Sequence, residues 1–229
     1  MHNLAIIPAR EGSKRIPKKN IRDFLGKPII AYSIKAAIQS GLFTEVMVST
    51  DSEEIKEIAI KFGAVVPFLR SNKKSDDYAT TFDVIEEVIL RYENLGQSFD
   101  NCCCIYPTAP FVTPAYLESG LDHLLKNEFD SVFSIMKFSF PIQRALKIED
   151  EKIHMFYPAN ISVRSQDLEE TFHDAGQFYW IRSKKILSLR SLITDNSGAI
   201  IIEENEAQDI DTIIDWKLAE LKYKLLNNL

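Results

Sequence analysis

Short runs of apolar residues alternate along the chain with longer stretches in which apolar side chains recur at helical spacing. The short runs predict strands, because apolar segments bounded by polar turns are typical of buried strands. The predicted strands are residues 4–8, 45–49, 64–69, 101–106, 131–136, 176–181 and 199–202. Their alternation with helical stretches predicts an α/β fold with a mainly parallel sheet covered by helices.

The segments between these strands carry residues that commonly start or stop helices. The predicted helices are residues 29–39, 55–62, 82–92, a segment that opens at Thr113 and Pro114, and residues 212–226. Gly41 suits the left-handed conformation that ends many helices. Ser52 can cap the second helix, and proline is tolerated in the first turn of the fourth.

The regular alternation stops between residues 137 and 170. This segment has mixed charge and several proline turns, and neither strand nor helix periodicity dominates it. We interpret it as an insertion or β-excursion from the main sheet. The whole chain, residues 1–229, is predicted to be one domain, since its length suits a single core.

Composition and charge restrict the class of protein. Hydrophobic residues make up 45% of the chain and the net charge is −6. An overall acidic balance argues against a nucleic-acid partner. Neither a signal sequence nor an apolar stretch approaching the ~18 residues of a membrane span is visible, so we expect a cytoplasmic protein that does not contact membranes.

Three consecutive cysteines, Cys102, Cys103 and Cys104, lie inside the predicted strand 101–106. Neighbouring strand residues point to opposite faces, so these thiols cannot converge on one metal ion. They are also too close in sequence for an ordinary disulfide. We expect reduced, buried cysteines.

The loop after the first strand is the strongest candidate for chemistry. Its basic and small residues are Arg10, Gly12, Ser13, Lys14, Arg15, Lys18 and Lys19. Loops at the carboxyl end of such a sheet are where α/β folds bind ligands, and this one could hold a triphosphate. The glycine spacing fits neither a Walker loop nor a dinucleotide fingerprint. The alternative is an ordinary solvated basic loop.

A second candidate is the acidic tripeptide of Asp209, Ile210 and Asp211. In extended backbone the two aspartates share one face and Ile210 faces the core, so both carboxylates could bind one Mg²⁺ ion. Such an ion would bridge phosphate oxygens and stabilise a leaving group. The alternative is that Asp211 simply caps the last helix.

Residues 6–20 resemble the opening motif of the acylneuraminate cytidylyltransferases, although Glu11 stands where that family usually has glycine. The resemblance implies a three-layer α/β/α nucleotidyltransferase fold, a homodimer, CTP and an acidic nine-carbon sugar as substrates, and Mg²⁺ as cofactor. Residues 137–170 would contribute to the dimer and to the sugar pocket. It implies that the nucleotide contacts Arg10, Gly12, Ser13, Lys14, Lys19 and Asn20. Arg10, Lys19, Asp209 and Asp211 would be catalytic, with both aspartates binding the metal.

Two further segments resemble the same family. Residues 65–70 and the polar stretch after them imply that Arg70, Asp77 and Thr81 hold the cytidine, whereas without the family this stretch is merely a polar helix entry. Residues 106–110 and 172–180 are similar to the branch that activates pseudaminic acid. This similarity suggests that the sugar contacts Tyr106, Gln143, Arg144, His173 and Gln177, with Arg144 on its carboxylate.

Some of these residues have structural alternatives. Phe178, Tyr179 and Trp180 are expected to pack in the core. His173 is more often a structural imidazole than a catalyst, although Asp174 beside it could orient it as a base. The proton acceptor could also be one of the two aspartates or a metal-bound hydroxide.

We therefore expect transfer of CMP from CTP to the anomeric hydroxyl of pseudaminic acid, in one direct step that releases pyrophosphate. The alternatives within the enzyme class are sialic, legionaminic or 3-deoxy-octulosonic acid as the acceptor. A nucleotide-binding module without turnover is the alternative from another class.

Overall fold

The computed structural model describes residues 1–71 and 79–229. The helices in this part of the chain are α1 (Ile30–Ser40), α2 (Glu53–Lys61), α3 (Thr81–Asn94), α4 (Pro114–Lys126), α5 (Ser183–Leu189) and α6 (Ile213–Asn227). The strands are β1 (Asn3–Pro8), β2 (Asp23–Phe24), β3 (Lys27–Pro28), β4 (Glu45–Ser49), β5 (Asn101–Ile105), β6 (Ser131–Lys137), β7 (Leu146–Glu149), β8 (Lys152–Met155), β9 (Phe172–Arg182) and β10 (Ser197–Ile201).

Six strands form the central sheet in the order β10-β6-β9-β5-β1-β4. The β1 strand runs parallel to both β4 and β5, and β10 runs parallel to β6. The long β9 strand lies antiparallel between β5 and β6. The prediction of an α/β fold with a mainly parallel sheet is confirmed.

The predicted strand over residues 64–69 is wrong. Only Val65 pairs with the sheet, through a single bridge to Met47 at its edge. Its amide donates to Val46 and its carbonyl accepts from Val48, each at 2.9 Å. Pro67 has no amide hydrogen with which to continue such a ladder, so the pairing ends there.

Helices cover both faces of the sheet and give three layers. Apolar residues of α1, α2 and α4 pack on one face, while residues of α3 and α5 pack on the other. The cysteines of β5 follow this division: Cys103 belongs to the first cluster, and Cys102 and Cys104 belong to the second. All three are buried and free, as expected, and burial raises the pKa of each thiol.

The segment 137–170 leaves the sheet after β6 and returns at β9. It contains a two-stranded hairpin, β7 and β8, together with short 3₁₀ turns, which confirms the predicted β-excursion. Ile148 and Ile153 face each other across this hairpin and are 76% and 68% exposed. The hairpin therefore presents an uncovered apolar face in this single chain.

Within residues 1–71 and 79–229, no helix combines the length and apolar character that crossing a membrane requires.

Candidate functional site

A cavity of about 570 Å³ opens where β1, β4 and β5 end. The loop after β1 lines it with Pro8, Arg10, Gly12, Ser13, Lys14, Arg15, Lys19 and Asn20. Arg70, Thr81 and Tyr106 line its other walls. The structure thus brings the basic loop to the carboxyl ends of parallel strands, where ligands bind in open α/β sheets.

Specific hydrogen bonds hold the basic loop in shape. Asn20 is buried, and its side-chain amide donates to the carbonyl oxygen of Arg10 at 2.8 Å. The amide of Glu11 donates to a carboxylate oxygen of Asp51 at 2.9 Å, while the Glu11 side chain is exposed. Glutamate at this position therefore leaves the backbone contact intact. The loop is a fixed structure rather than only a solvated run of charge.

An apolar cluster explains why the loop meets the far end of the sequence. Ile16 from the loop, Ile210 from the acidic tripeptide and Trp216 from α6 are all buried in this cluster. Burial of Ile210 is what the alternation of the tripeptide predicted. The hydrophobic effect therefore joins the two segments, and their polar neighbours are carried to the surface above the cluster.

Charged groups of the two segments contact each other at that surface. The Lys19 ammonium donates to the carbonyl oxygen of Ile210 at 2.7 Å and lies 3.6 Å from an Asp211 carboxylate oxygen. Arg15 forms a 2.8 Å ion pair with the other oxygen of Asp211. The sequence did not assign Arg15 a role of its own, although its place among the loop cations was a signal for one.

The alternative in which Asp211 caps the last helix is wrong. Thr212 is the cap of α6, and its hydroxyl accepts from the amide of Asp215. The Asp215 carboxylate accepts in return from the amide and hydroxyl of Thr212 at 2.7 and 2.8 Å. Asp211 is left with its carboxylate turned toward Lys19 and Arg15.

The two aspartates fit what Mg²⁺ requires. Partial shielding from water raises the pKa of Asp209, the neighbouring Asp211 raises it further, and Lys19 lowers it. A divalent cation would relieve this repulsion between like charges. No group of three or more candidate metal ligands occurs in the described part of the chain. The donor set suits an ion held by one or two carboxylates plus substrate phosphates, which is a common arrangement for Mg²⁺.

Arg70 is held inside the protein at the end of β4. Its side chain is 7% exposed, and its guanidinium donates to the hydroxyl of Ser49 at 3.0 Å and to the carbonyl oxygen of the same residue. Burial lowers the pKa of Arg70, and nearby Asp51 and Glu87 counteract that effect. Arg70 therefore presents a fixed cation to the cavity. Asp77, its predicted companion, lies outside the described residues.

Thr81 and Tyr106 contact each other on the cavity wall. Thr81 is the first residue of α3, and its hydroxyl lies 3.0 Å from that of Tyr106. The preceding Thr80 caps the start of α3 and forms a reciprocal capping box with Asp83. Thr80 and Thr81, the described end of the predicted polar helix entry, line the cavity.

The predicted sugar contacts divide into two groups. Tyr106 lines the cavity, and its amide donates to the carbonyl oxygen of Gln177 at 2.9 Å. The Gln177 side chain is buried, and its Nε2 donates to the backbone carbonyl oxygen of Glu206 at 2.7 Å, while its Oε1 has no partner among the described residues. Tyr106 and Gln177 therefore lie together at the end of β5.

Gln143, Arg144 and His173 lie elsewhere and do not line the cavity of this chain. Gln143 donates to the carbonyl oxygen of Glu169, and the exposed Arg144 donates to the hydroxyl of Ser165, each at 3.0 Å. The ring of His173 packs against Phe138. Their contact with the sugar stays a prediction.

The pairing of His173 with Asp174 as base and orienter is wrong. The Nδ1 atom of His173 lies 2.9 Å from the backbone carbonyl oxygen of Asp174 rather than from its carboxylate. That carboxylate accepts from the hydroxyl of Tyr179 and from the amide of Gly176. Tyr179 is buried, as expected for core packing, but its hydroxyl also makes a polar contact that the sequence did not indicate.

A mainly parallel sheet, a basic loop after its first strand and paired aspartates before its last helix define a nucleotidyltransferase. A solved CMP:2-keto-3-deoxy-manno-octonic acid synthetase in complex with CTP shares the fold, with a TM-score of 0.73 at 17% identity over 100% of both chains. Residues 4–214 match the family model described as cytidylyltransferase. The chain therefore belongs to the cytidylyltransferase family and is an enzyme that uses CTP.

Two relatives are more similar in sequence to this chain than the solved structure is. A pseudaminic acid cytidylyltransferase of Campylobacter jejuni is 43% identical, over 98% of this chain and 97% of the relative. A CMP-N,N'-diacetyllegionaminic acid synthase of Legionella pneumophila is 32% identical, over 96% and 95%. Both similarities extend over nearly the full length of the two chains.

Proposed function

We propose that this chain transfers CMP from CTP to the anomeric hydroxyl of pseudaminic acid and releases pyrophosphate. The choice of pseudaminic acid rests on the 43% identity to a pseudaminic acid cytidylyltransferase across nearly the whole chain. The identity to the legionaminic acid enzyme is 32%. The cavity at the ends of β1, β4 and β5 is the binding site in this proposal.

The basic loop binds the triphosphate. Arg10, Lys14 and Lys19 all line the cavity, so several cations can contact the phosphate oxygens. Charge grows on the pyrophosphate as it departs, and fixed cations stabilise that charge without having to reorganise. Gly12 and Ser13 let backbone amides approach the same anion closely.

Asp209 and Asp211 hold Mg²⁺ together with the triphosphate. When bound, the ion supplies Lewis acidity to the phosphate oxygens and orients the α-phosphate. Lys19 joins the two parts of the site, because it lines the cavity and also contacts the tripeptide. Its donated hydrogen bond to Ile210 keeps the two aspartates beside the phosphate-binding loop.

The enzyme acts as a homodimer through the hairpin of β7 and β8. A lone two-stranded hairpin is only marginally stable in water, and this one exposes Ile148 and Ile153 on the same face. Contact with a second copy would cover that face. The same contact would hold the segment that carries Gln143 and Arg144 in a defined place.

The test is pyrophosphate release from CTP and Mg²⁺ with purified pseudaminic acid, beside equal concentrations of sialic, legionaminic and 3-deoxy-octulosonic acids. We expect kcat/KM to be highest for pseudaminic acid. A higher value for one of the other acids would overturn the choice of sugar but leave the reaction class intact. No release with any acid would overturn the proposal as a whole.

A further inference from the structure

Side chains hold the short segment that leads into the acidic tripeptide. This segment, residues 203–208, follows β10 and contains one 3₁₀ turn, Glu204–Glu206. Ala207 is buried in the apolar cluster on one face of the sheet. The carbonyl oxygens of the segment lie outside the strand ladders, so their hydrogen-bond donors come from elsewhere. These donors identify the residues that fix the backbone just before Asp209.

Lys222 on α6 supplies two of these hydrogen bonds. Its ammonium group donates to the carbonyl oxygen of Glu204 at 2.8 Å and to that of Ala207 at 2.9 Å. An ammonium group has three donors, so one side chain can hold both carbonyl groups. The Lys222 side chain is half-buried, and this burial lowers its pKa, while nearby Glu204 counteracts that effect. Lys222 is therefore partly withdrawn from water and bonded to backbone.

The contact between Lys222 and Ala207 closes the backbone around both aspartates. The two residues are 15 positions apart, and Asp209 and Asp211 lie between them. The helix that follows the aspartates is thus joined to the segment that precedes them. The loop that carries the aspartates cannot open at its base without breaking these hydrogen bonds.

Two further elements contact the same segment. Gln177 of β9 donates to the carbonyl oxygen of Glu206 at 2.7 Å, and the Tyr116 hydroxyl of α4 donates to the Glu206 carboxylate. Lys222 differs from the residues of the site, because it does not line the cavity and bonds backbone carbonyls rather than either aspartate. Any effect of Lys222 on the reaction must therefore act through the backbone that carries the aspartates.

We propose that Lys222 is a positioning residue for magnesium binding: by joining α6 to residues 204–207, it sets the backbone from which Asp209 and Asp211 reach the ion. The inference rests on the proposed function, in which the two aspartates hold Mg²⁺. Removing a group that orients metal ligands commonly weakens metal binding about 10- to 100-fold. Without Lys222 the ion itself would have to order the loop, and that cost would weaken its binding.

Lys222→Met tests the inference, because it keeps the aliphatic part of the side chain and removes both hydrogen bonds. Lys224→Met, two positions later on α6, removes one exposed ammonium group and is the matched control for charge. The first measurement needs no catalysis: with CTP at a fixed concentration and no acceptor sugar, the melting temperature is followed as free Mg²⁺ is raised. We expect the Mg²⁺ midpoint to rise about tenfold for Lys222→Met and to stay native for Lys224→Met.

The Mg²⁺ dependence of pyrophosphate release separates positioning from a general loss of structure. For Lys222→Met, the free Mg²⁺ concentration at half-maximal rate should rise by the same factor, and kcat should return close to the native value at saturating Mg²⁺. Lys222→Gln keeps one donor group on a shorter side chain, so its midpoints should rise by less. If Lys222→Met does not fold, the two titrations of Lys222→Gln decide instead.

A native Mg²⁺ midpoint in either titration would overturn the inference, and so would a kcat that stays low however much Mg²⁺ is added. Failure of the proposed function would look different. In that case the native protein itself would show no Mg²⁺-dependent stabilisation with CTP and would release no pyrophosphate.

Discussion

The ammonium group of Lys19 lies 2.7 Å from the carbonyl oxygen of Ile210, a residue 191 positions later in the chain. The buried side chains of Ile16 and Ile210 hold the backbones of the two segments in place around this contact. The buried cluster thus holds the backbone near Lys19 in place, and the Lys19 side chain lines the cavity. A cation held in this way can stabilise developing charge without first being ordered.

Replacing Lys19 with methionine should lower kcat by about 10²-fold, because one preorganised charge beside the phosphates is lost. The aliphatic part of the side chain is kept, so folding should be little affected. Steady-state pyrophosphate release at saturating CTP measures the change.

Lys18→Met is the matched control, since Lys18 pairs with Glu54 on the surface instead of facing the cavity. Its kcat should stay within about twofold of native, because exposed ion pairs contribute little. Equal losses in both variants would indicate that the loop acts only through its overall charge.

Asp209→Asn should separate activity from stability. The folded protein raises the pKa of Asp209, so ionising this group costs stability as the pH rises above the ordinary carboxyl pKa of about 3.9. The asparagine variant avoids that cost. Without Mg²⁺, its melting temperature at pH 7 should equal the native value or exceed it by up to about 2 °C, and the difference should vanish near pH 3.

The same variant should lose about 10²-fold or more in kcat, and Mg²⁺ should stabilise it less than it stabilises the native protein in the presence of CTP. Asp122→Asn, an exposed substitution on α4, controls for the change in net charge. A fully active Asp209→Asn enzyme would contradict the proposal that this residue binds the metal.

Ile153→Glu should convert the protein to a monomer by placing a charge on the apolar face of the hairpin. Lys152→Glu changes the charge of the adjacent residue, whose side chain points to the other face, and should leave a dimer. Light scattering coupled to size-exclusion chromatography distinguishes the two states. A native protein that is already monomeric would contradict the proposed role of the hairpin.

Gly120→Ala should destabilise the fold by about 1 to 3 kcal/mol, because a Cβ atom there would lie 2.7 Å from the ring of Trp180 and 2.9 Å from that of Phe178. The Trp180 ring is also fixed by its hydrogen bond to Leu117 at 2.9 Å. Gly12→Ala is the control for thermal unfolding, since no described atom lies within 4 Å of the added methyl group. A native melting temperature for Gly120→Ala would show that the rings move freely.

The sequence predicted the parts of the site that depend on local pattern. The apolar run of β1 followed by clustered cations located the basic loop, and the alternation around Ile210 placed two aspartates on one surface. Local pattern does not specify strand direction, so the antiparallel β9 could not be read from its apolar run. Strand pairing ends after Val65 because Pro67 has no amide hydrogen to donate.

The contact between Asp174 and Tyr179 could not be predicted either. In a regular strand, residues five apart point to opposite faces. The pairing of β6 and β9 is irregular at this point, and Gly176 has a positive φ of 62°. A bulge of this kind turns the strand locally, so that side chains expected on opposite faces can meet. The contact between Asp174 and Tyr179 could therefore be found only in the three-dimensional structure.

The distance in sequence between Lys19 and Ile210 has a consequence for when the enzyme can become active during its synthesis. On the ribosome, the basic loop that we propose to bind the triphosphate emerges long before Asp209 and Asp211, which would complete the site. Strands of the sheet can pair in the meantime, but transfer chemistry must wait until α6 has docked on the cluster around Ile16. A nascent chain, or one cleaved before residue 209, would carry the cations without the proposed metal ligands and would be inactive.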